Sequence, residues 1–224
     1  MKAEIYKQLL EKYSSKEELR LKFRNPFIYE NKCMATNTVS LITTPMIEGV
    51  EENEPAYKSC KSILNRIEEP ILIINVSEFL EKLKPFPLED GFDIVKEEVK
   101  CDACNGYGSV DYEFCYDGET FTELLDCPVC DGTRLVTKNV EKPNGTKILN
   151  RKDVIEICGR WFCAARISEI LELIDIFKPT EIIVREVSDG VNPHYIPLEF
   201  DFGDVQLLQM PYLQSDSQKP IFSI

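Results

Sequence analysis

The sequence predicts an α+β fold in which helices cover one face of a curled antiparallel sheet, interrupted by a metal-held insertion. Three observations carry that expectation. Helical patterns alternate with groups of strand-like segments, giving the order helix–strands three times over. Four cysteines form two Cys-x-x-Cys pairs, Cys101/Cys104 and Cys127/Cys130. The 224 residues are 43% hydrophobic and 29% charged, enough apolar material for a buried core without covalent staples.

The elements follow in order. Residues 4–13 read as a helix, with Ile5, Leu9 and Tyr13 at four-residue spacing and Leu10 widening the stripe. Residues 19–23 alternate apolar and basic, which predicts a strand, and 27–29, 33–35 and 39–44 predict further strands around a turn at Glu30-Asn31. Residues 48–55 are acidic and apolar-poor, an exposed loop. The apolar run 70–76 predicts a strand covered on both faces. Ser77 then caps a helix that buries Phe79, Leu80 and Leu83 and stops before Pro85 and Pro87.

A strand over 92–99 runs into Cys101, and another over 134–140 follows Cys130, with Pro143-Asn144-Gly145 as a hairpin turn. Strands at 154–157 and 161–163 flank a Gly159-Arg160 turn. Ile167, Ile170, Leu171, Ile174 and Phe177 mark the clearest helix, ended by Pro179, with Trp161 and Phe162 filling the core beneath it. Residues 181–185, 195–200 and 204–210 give the last strands. The resulting division is a body of 1–100 and 133–213, an inserted zinc-binding module at 101–132, and a short, polar, mobile tail at 214–224.

Two Cys-x-x-Cys knuckles supply four thiolates, the ligand count of a closed tetrahedral zinc site. Cys101, Cys104, Cys127 and Cys130 are therefore the expected ligands of one structural Zn²⁺. Gly106 and Gly132 each lie two residues after the second cysteine of a knuckle, where glycine lets the backbone turn its amides toward the sulfurs. A redox pair would need only one such knuckle. Unrelated free cysteines that happen to share this spacing are the competing reading.

The other five cysteines, Cys33, Cys60, Cys115, Cys158 and Cys163, bring the total to nine. An odd number scattered through apolar segments fits core packing in a reducing cytoplasm, not a disulfide framework. The N-terminus lacks a signal-peptide apolar core and no run is long enough to span a bilayer, so a soluble cytoplasmic protein is expected.

A formal charge of −13 argues against a surface that coats nucleic acid, which needs clustered Lys and Arg. A local basic run does exist: Arg134, Lys138, Lys142, Lys147, Arg151 and Lys152 against Glu141 and Asp153. It reads first as a solvated hairpin surface. The segment 109–126 between the knuckles carries Asp111, Glu113, Asp117, Glu119, Glu123 and Asp126, no Lys or Arg, and the aromatics Tyr112, Phe114, Tyr116 and Phe121. It reads as a loop that a metal can hold where no core of its own would.

The knuckles resemble half of the cysteine-rich zinc module of the J-domain co-chaperones, whose unit is Cys-x-x-Cys-x-Gly-x-Gly. Residues 101–108 match that unit throughout; residues 127–134 match through Gly132, with Arg134 replacing the last glycine. The resemblance implies that both units share one zinc. It implies little about function, because such zinc turns are grafted onto many proteins and no J domain is present.

The remainder resembles the bacterial DNA sliding clamp, the polymerase III beta subunit. Residues 34–45 stand where clamp domains carry a strand stretch ending in proline, 71–83 give a strand feeding a helix, and 207–211 close on Met210-Pro211. The Asp-Gly-His core of the clamp stretch is Asn37-Thr38-Val39 here, the chain is much shorter than a three-domain clamp, and the insertion is foreign to that family. What the resemblance implies is clamp-like helix-plus-antiparallel-sheet units and, with several copies in a ring, a role in DNA transactions.

No catalytic residue is expected. His194 is the single histidine, beside Pro193 in a turn, without an acid or nucleophile arranged near it. A four-thiolate zinc has no open position for water. Phosphate-binding glycine loops and nucleophile elbows are missing, and acidic pairs such as Glu51-Glu52 and Glu97-Glu98 read as solvated charge. Three functions stay open on sequence grounds. One is a non-enzymatic, clamp-like accessory factor in DNA transactions, for which DNA is an open partner and encircling it would require a homo-oligomer of several copies. The second is a protein-interaction adaptor that presents the acidic, aromatic segment 109–126 to a basic partner. The third is an enzyme of unrecognised type.

Overall fold

The computed structural model describes residues 2–188, 196–212 and 219–224. The chain is α+β and divides into two compact units: residues 1–88 with 149–224, and residues 89–148. The second unit is wider than the module expected at 101–132, because the strands leading into and out of the knuckles belong with them.

In the first unit, helix α1 (Lys2–Tyr13) buries Tyr6, Leu9, Leu10 and Tyr13 along one stripe. Residues 19–23 form no strand. A single 3₁₀ turn occupies Leu21–Phe23 instead, with Phe23 buried and Leu19 fully exposed. The alternation there misled because only one of its apolar residues finds a core. Strands β1 (Phe27–Tyr29), β2 (Lys32–Thr36) and β3 (Ser40–Pro45) then form a meander. Helix α2 (Glu54–Leu64) starts inside the expected loop, capped by the Asn53 side chain accepting from the Ala56 amide at 3.3 Å. Strand β4 (Ile67–Asn75) passes into helix α3 (Val76–Leu83). Its cap is Asn75, two residues before Ser77: the Asn75 side chain accepts from the Glu78 amide at 3.2 Å.

Four strands lie wholly in the second unit or enter it: β5 (Leu88–Lys100), β6 (Ser109–Tyr116), β7 (Glu119–Asp126) and β8 (Leu135–Leu149). The first unit resumes with the hairpin β9 (Val154–Ile157) and β10 (Arg160–Cys163), helix α4 (Ala164–Phe177), and strands β11 (Glu181–Val187), β12 (Leu198–Asp201) and β13 (Gln206–Gln209). Helix α4 ends where the sequence places its stop, with Lys178 left-handed before Pro179 and its amide bonded to Ile174 O at 2.8 Å.

One seven-stranded antiparallel sheet, in the order β1-β2-β3-β13-β12-β11-β4, organises the first unit. Its register sorts the side chains. Leu72, Val184, Phe200, Leu207, Ile42 and Ala35 follow one another across the sheet on the face that packs under α1, α3, α4 and the β9–β10 hairpin. Phe162 lies in that core, as expected beneath α4, and meets Phe200 edge-on at 5.7 Å. The other face is not bare: Met34, Leu41 and Leu208 pack against Ala56 and Cys60 of α2. Helices thus cover both faces and not the single face expected, because α2 packs on the second.

Residues 219–224 are not a free tail. The Ile221 amide donates to Val154 O at 2.9 Å and the Ile224 amide to Glu156 O at 2.8 Å, so the segment runs along β9 and packs Phe222 and Ile224 on the core. Those two apolar side chains are the reason. His194 and the residues 213–218 lie outside the described residues.

Candidate metal centre

The second unit is built on two ribbons, β5 with β8 and β6 with β7. Strand β8 runs straight through Pro143-Asn144-Gly145, where a hairpin turn was expected. Gly145 is left-handed at φ 78°, a conformation a long strand absorbs as a local irregularity. The Asn144 side chain is engaged by Asp93 at 2.9 Å and by the Thr146 amide at 3.0 Å. On the facing strand, a Cβ at Gly91 would fall 2.2 Å from Thr146 Oγ1. The basic residues of β8 are paired along this ribbon: Lys147 with Asp90 at 2.6 Å, Lys142 with Glu97, and Lys138 with Asp102.

Between β5 and β6, and between β7 and β8, the chain forms the two knuckles. Cys101, Cys104, Cys127 and Cys130 are all buried, and their sulfurs lie within 4.8 Å of one another. The Cys101–Cys127 and Cys104–Cys130 sulfur pairs are each 3.8 Å apart. Sulfurs bonded to one tetrahedral ion at about 2.3 Å sit ~3.8 Å apart, whereas a disulfide requires ~2.0 Å. The spacing therefore fits four ligands around one metal ion and excludes a bond between them. Among the described residues this is the one group of three or more His, Cys, Asp or Glu placed to hold a metal ion.

The knuckles repeat each other in backbone conformation. After Cys104, Asn105, Gly106 and Gly108 take positive φ (51°, 76° and 84°); after Cys130, Asp131, Gly132 and Arg134 do the same (47°, 75° and 73°). This puts amides at the sulfurs: Gly108 N lies 3.2 Å from Cys104 Sγ. Burial pushes the Cys104 thiol up, but the Gly108 amide and the neighbouring Cys101 and Cys130 groups outweigh it and leave it below the ordinary thiol value. At Cys130 burial prevails over the Arg134 amide and the thiol lies above that value.

The expected loop 109–126 is a full β-hairpin. Strands β6 and β7 pair from Ser109↔Asp126 to Tyr116↔Glu119 around Asp117-Gly118, both left-handed (φ 52° and 82°). That Asp-Gly dipeptide between alternating apolar residues is a hairpin signal of the strongest kind, and the acidic charge that suggests a loop does not prevent pairing because the carboxylates stay exposed. The ribbon is tied to the cysteines at its base: the Cys127 amide donates to Gly108 O at 2.8 Å, and Val110 packs against the four cysteines.

The remaining cysteines follow no common site. Cys33 and Cys60 are buried, Cys158 and Cys163 half-buried, and Cys115 is exposed on β6, so core packing does not account for it. In the first unit a partly buried charge cluster centres on Arg185, which bonds Glu199 at 2.8 Å and Asp201 at 2.9 Å on the α2 side of the sheet. Burial raises the Glu199 carboxyl above its usual range despite Arg185. Every charge in that cluster has a partner, and nothing there resembles a nucleophile and base. No described helix is long and apolar enough to cross a membrane.

No protein-family model, curated protein or solved structure matches this chain.

Proposed function

We propose that this is a non-enzymatic binding protein in which one structural zinc, held by Cys101, Cys104, Cys127 and Cys130, fixes the base of the β6–β7 ribbon and presents that ribbon to a protein partner. The carrying observation is the direct connection between the cysteine cluster and an exposed aromatic ribbon through the Gly108–Cys127 hydrogen bond and Val110. A two-stranded ribbon is marginal in water by itself, and a closed metal site at its root supplies the missing constraint. Four thiolates fill a tetrahedral ion, so the metal supports the fold and leaves no position at which water could be activated.

The adaptor reading is preferred to a clamp-like role on DNA on one observation. The β8 lysines that would meet phosphate are matched by Asp90, Glu97 and Asp102 of their own unit. Exposed pairs of this kind are individually weak, but the acids opposite leave no net positive field for phosphate.

The test is metal analysis with hydrogen exchange. Native mass spectrometry and elemental analysis should find one zinc per chain. Chelation should abolish amide protection across 109–126 while the strands of the seven-stranded sheet keep theirs. A metal-free protein, or a ribbon equally protected with and without zinc, would overturn the reading.

A further inference from the structure

We propose that the aromatic face of the β6–β7 ribbon binds an extended, basic segment of a protein with the pattern basic–x–apolar–x–basic. The proposal rests on the presenting role given to the ribbon above and names the chemistry of what it captures.

The register divides the ribbon into two unlike faces, because directly opposed residues in an antiparallel pair share a side. One face carries Val110 with Leu125, Tyr112 with Glu123, Phe114 with Phe121, and Tyr116 with Glu119. The other carries Ser109 with Asp126, Asp111 with Leu124, Glu113 with Thr122, and Cys115 with Thr120. The first is a continuous aromatic stripe leading away from the cysteines, and it is uncovered: Tyr112, Phe114, Tyr116 and Phe121 are 41–75% exposed.

Charge decides the occupant. Residues 109–126 hold six carboxylates and no Lys or Arg. A second copy of the same face would set Glu119 and Glu123 against their own kind, and phosphate or an anionic membrane surface would be repelled. A basic protein segment is attracted.

Spacing decides its form. Across the strands from Tyr112 stands Glu123, and across from Tyr116 stands Glu119. A guanidinium over either ring lies within reach of the opposed carboxylate, combining a cation–π contact with an ion pair. The two tyrosines are four residues apart on one strand, about 13 Å. Between them Phe114 and Phe121 stack at 5.4 Å, a platform for an apolar side chain. An extended peptide places residues i and i+4 about 13 Å apart on one side with i+2 midway. A helix covers that distance only over about eight or nine residues with its three contacts four apart, so the five-residue pattern proposed here belongs to an extended segment.

The experiment is fluorescence anisotropy on the zinc-loaded full chain with two labelled peptides of equal composition, Gly-Arg-Thr-Leu-Thr-Arg-Gly and Gly-Thr-Arg-Leu-Arg-Thr-Gly, the second of which puts both arginines on the side opposite its leucine. The spaced peptide should bind about tenfold more tightly, the equivalent of two added cation contacts. Phe114→Ala should remove most of that preference. The double variant Glu119→Gln/Glu123→Gln, which leaves the apolar packing alone, should remove it too without altering zinc content. Equal affinity for both peptides, binding of neither, stronger binding to an oligothymidylate, or a self-association abolished by Phe114→Ala would each overturn the proposal. A protein that holds zinc yet treats the peptides alike removes this inference only; a protein without zinc removes the reading beneath it.

Discussion

Arg134 and Gly108 play the same part in opposite knuckles. Both are left-handed, and each offers its carbonyl to the first cysteine of the other knuckle: Cys101 N donates to Arg134 O at 2.9 Å and Cys127 N to Gly108 O at 2.8 Å. The substitution that breaks the Cys-x-x-Cys-x-Gly-x-Gly pattern in sequence therefore leaves the backbone shape intact.

The two positions differ in the room beside them. A Cβ at Gly108 would lie 2.7 Å from Gly132 O and 3.0 Å from Arg134 Cγ, so backbone must move. Gly108→Ala is expected to weaken zinc binding by about 10- to 100-fold, the range for losing a group that orients ligands. Arg134→Gly relieves a left-handed side-chain penalty of ~1–2 kcal/mol and should bind zinc at least as well as the parent chain. Competition against a chromophoric chelator reads both, and equal losses in the two variants would deny the exchange of roles.

How far these features were legible depends on how local their cause is. The clustering of Cys101, Cys104, Cys127 and Cys130 could be read from spacing, because a knuckle is closed by residues a few positions apart. Helix α4 could be read because Ile167, Ile170 and Ile174 bury one unbroken stripe. Helix α2 could not, since it buries only Ala56 and Cys60 and its cap, Asn53, sits in an acidic stretch. Asn144-Gly145 and Asp117-Gly118 are the instructive pair. The first resembles a turn and lies within a strand; the second is the turn, hidden by charge. For Asn144-Gly145 the distant strand β5 decides, with Asp93 51 residues away, and pairing across that distance leaves no mark in a short window of sequence; Asp117-Gly118 joins neighbouring strands, and its signal is local.

Thiol chemistry separates the cysteines into classes. With zinc bound, iodoacetamide at pH 8 should label Cys115 first, because it alone is exposed. Cys60, buried and pushed up to about 11, should stay unlabelled in the folded protein. Adding a chelator should expose Cys101, Cys104, Cys127 and Cys130 together. Peptide mass spectrometry follows each site, and rapid labelling of those four without chelator would show that no metal protects them.

In the core, Phe162 and Phe200 are both fully buried and meet edge-to-face. Each change to alanine should cost about 3–5 kcal/mol by urea denaturation. The double variant should cost less than the sum of the singles by ~0.5–1.5 kcal/mol, the worth of an aromatic pair beyond its buried area. Simple additivity would mean the ring contact contributes nothing specific.

Glu199 gives stability a pH dependence whose sign follows from its burial. Its carboxyl is raised above 4.5 because desolvation outweighs the attraction of Arg185. In the interval just above 4.5 the folded chain keeps a proton that the unfolded chain has released, so folding is favoured by acid there. The contribution is fully present below 4.5 and is lost as pH rises through the raised folded value. Glu199→Gln cannot titrate, and Arg185 keeps Asp201 as its partner. Relative to the variant, the parent chain should therefore lose stability as pH climbs from 4.5 toward neutrality, measured by urea denaturation at matched pH values. A parent chain that instead gains on the variant over that range would mean the Arg185 ion pair prevails over burial at this position.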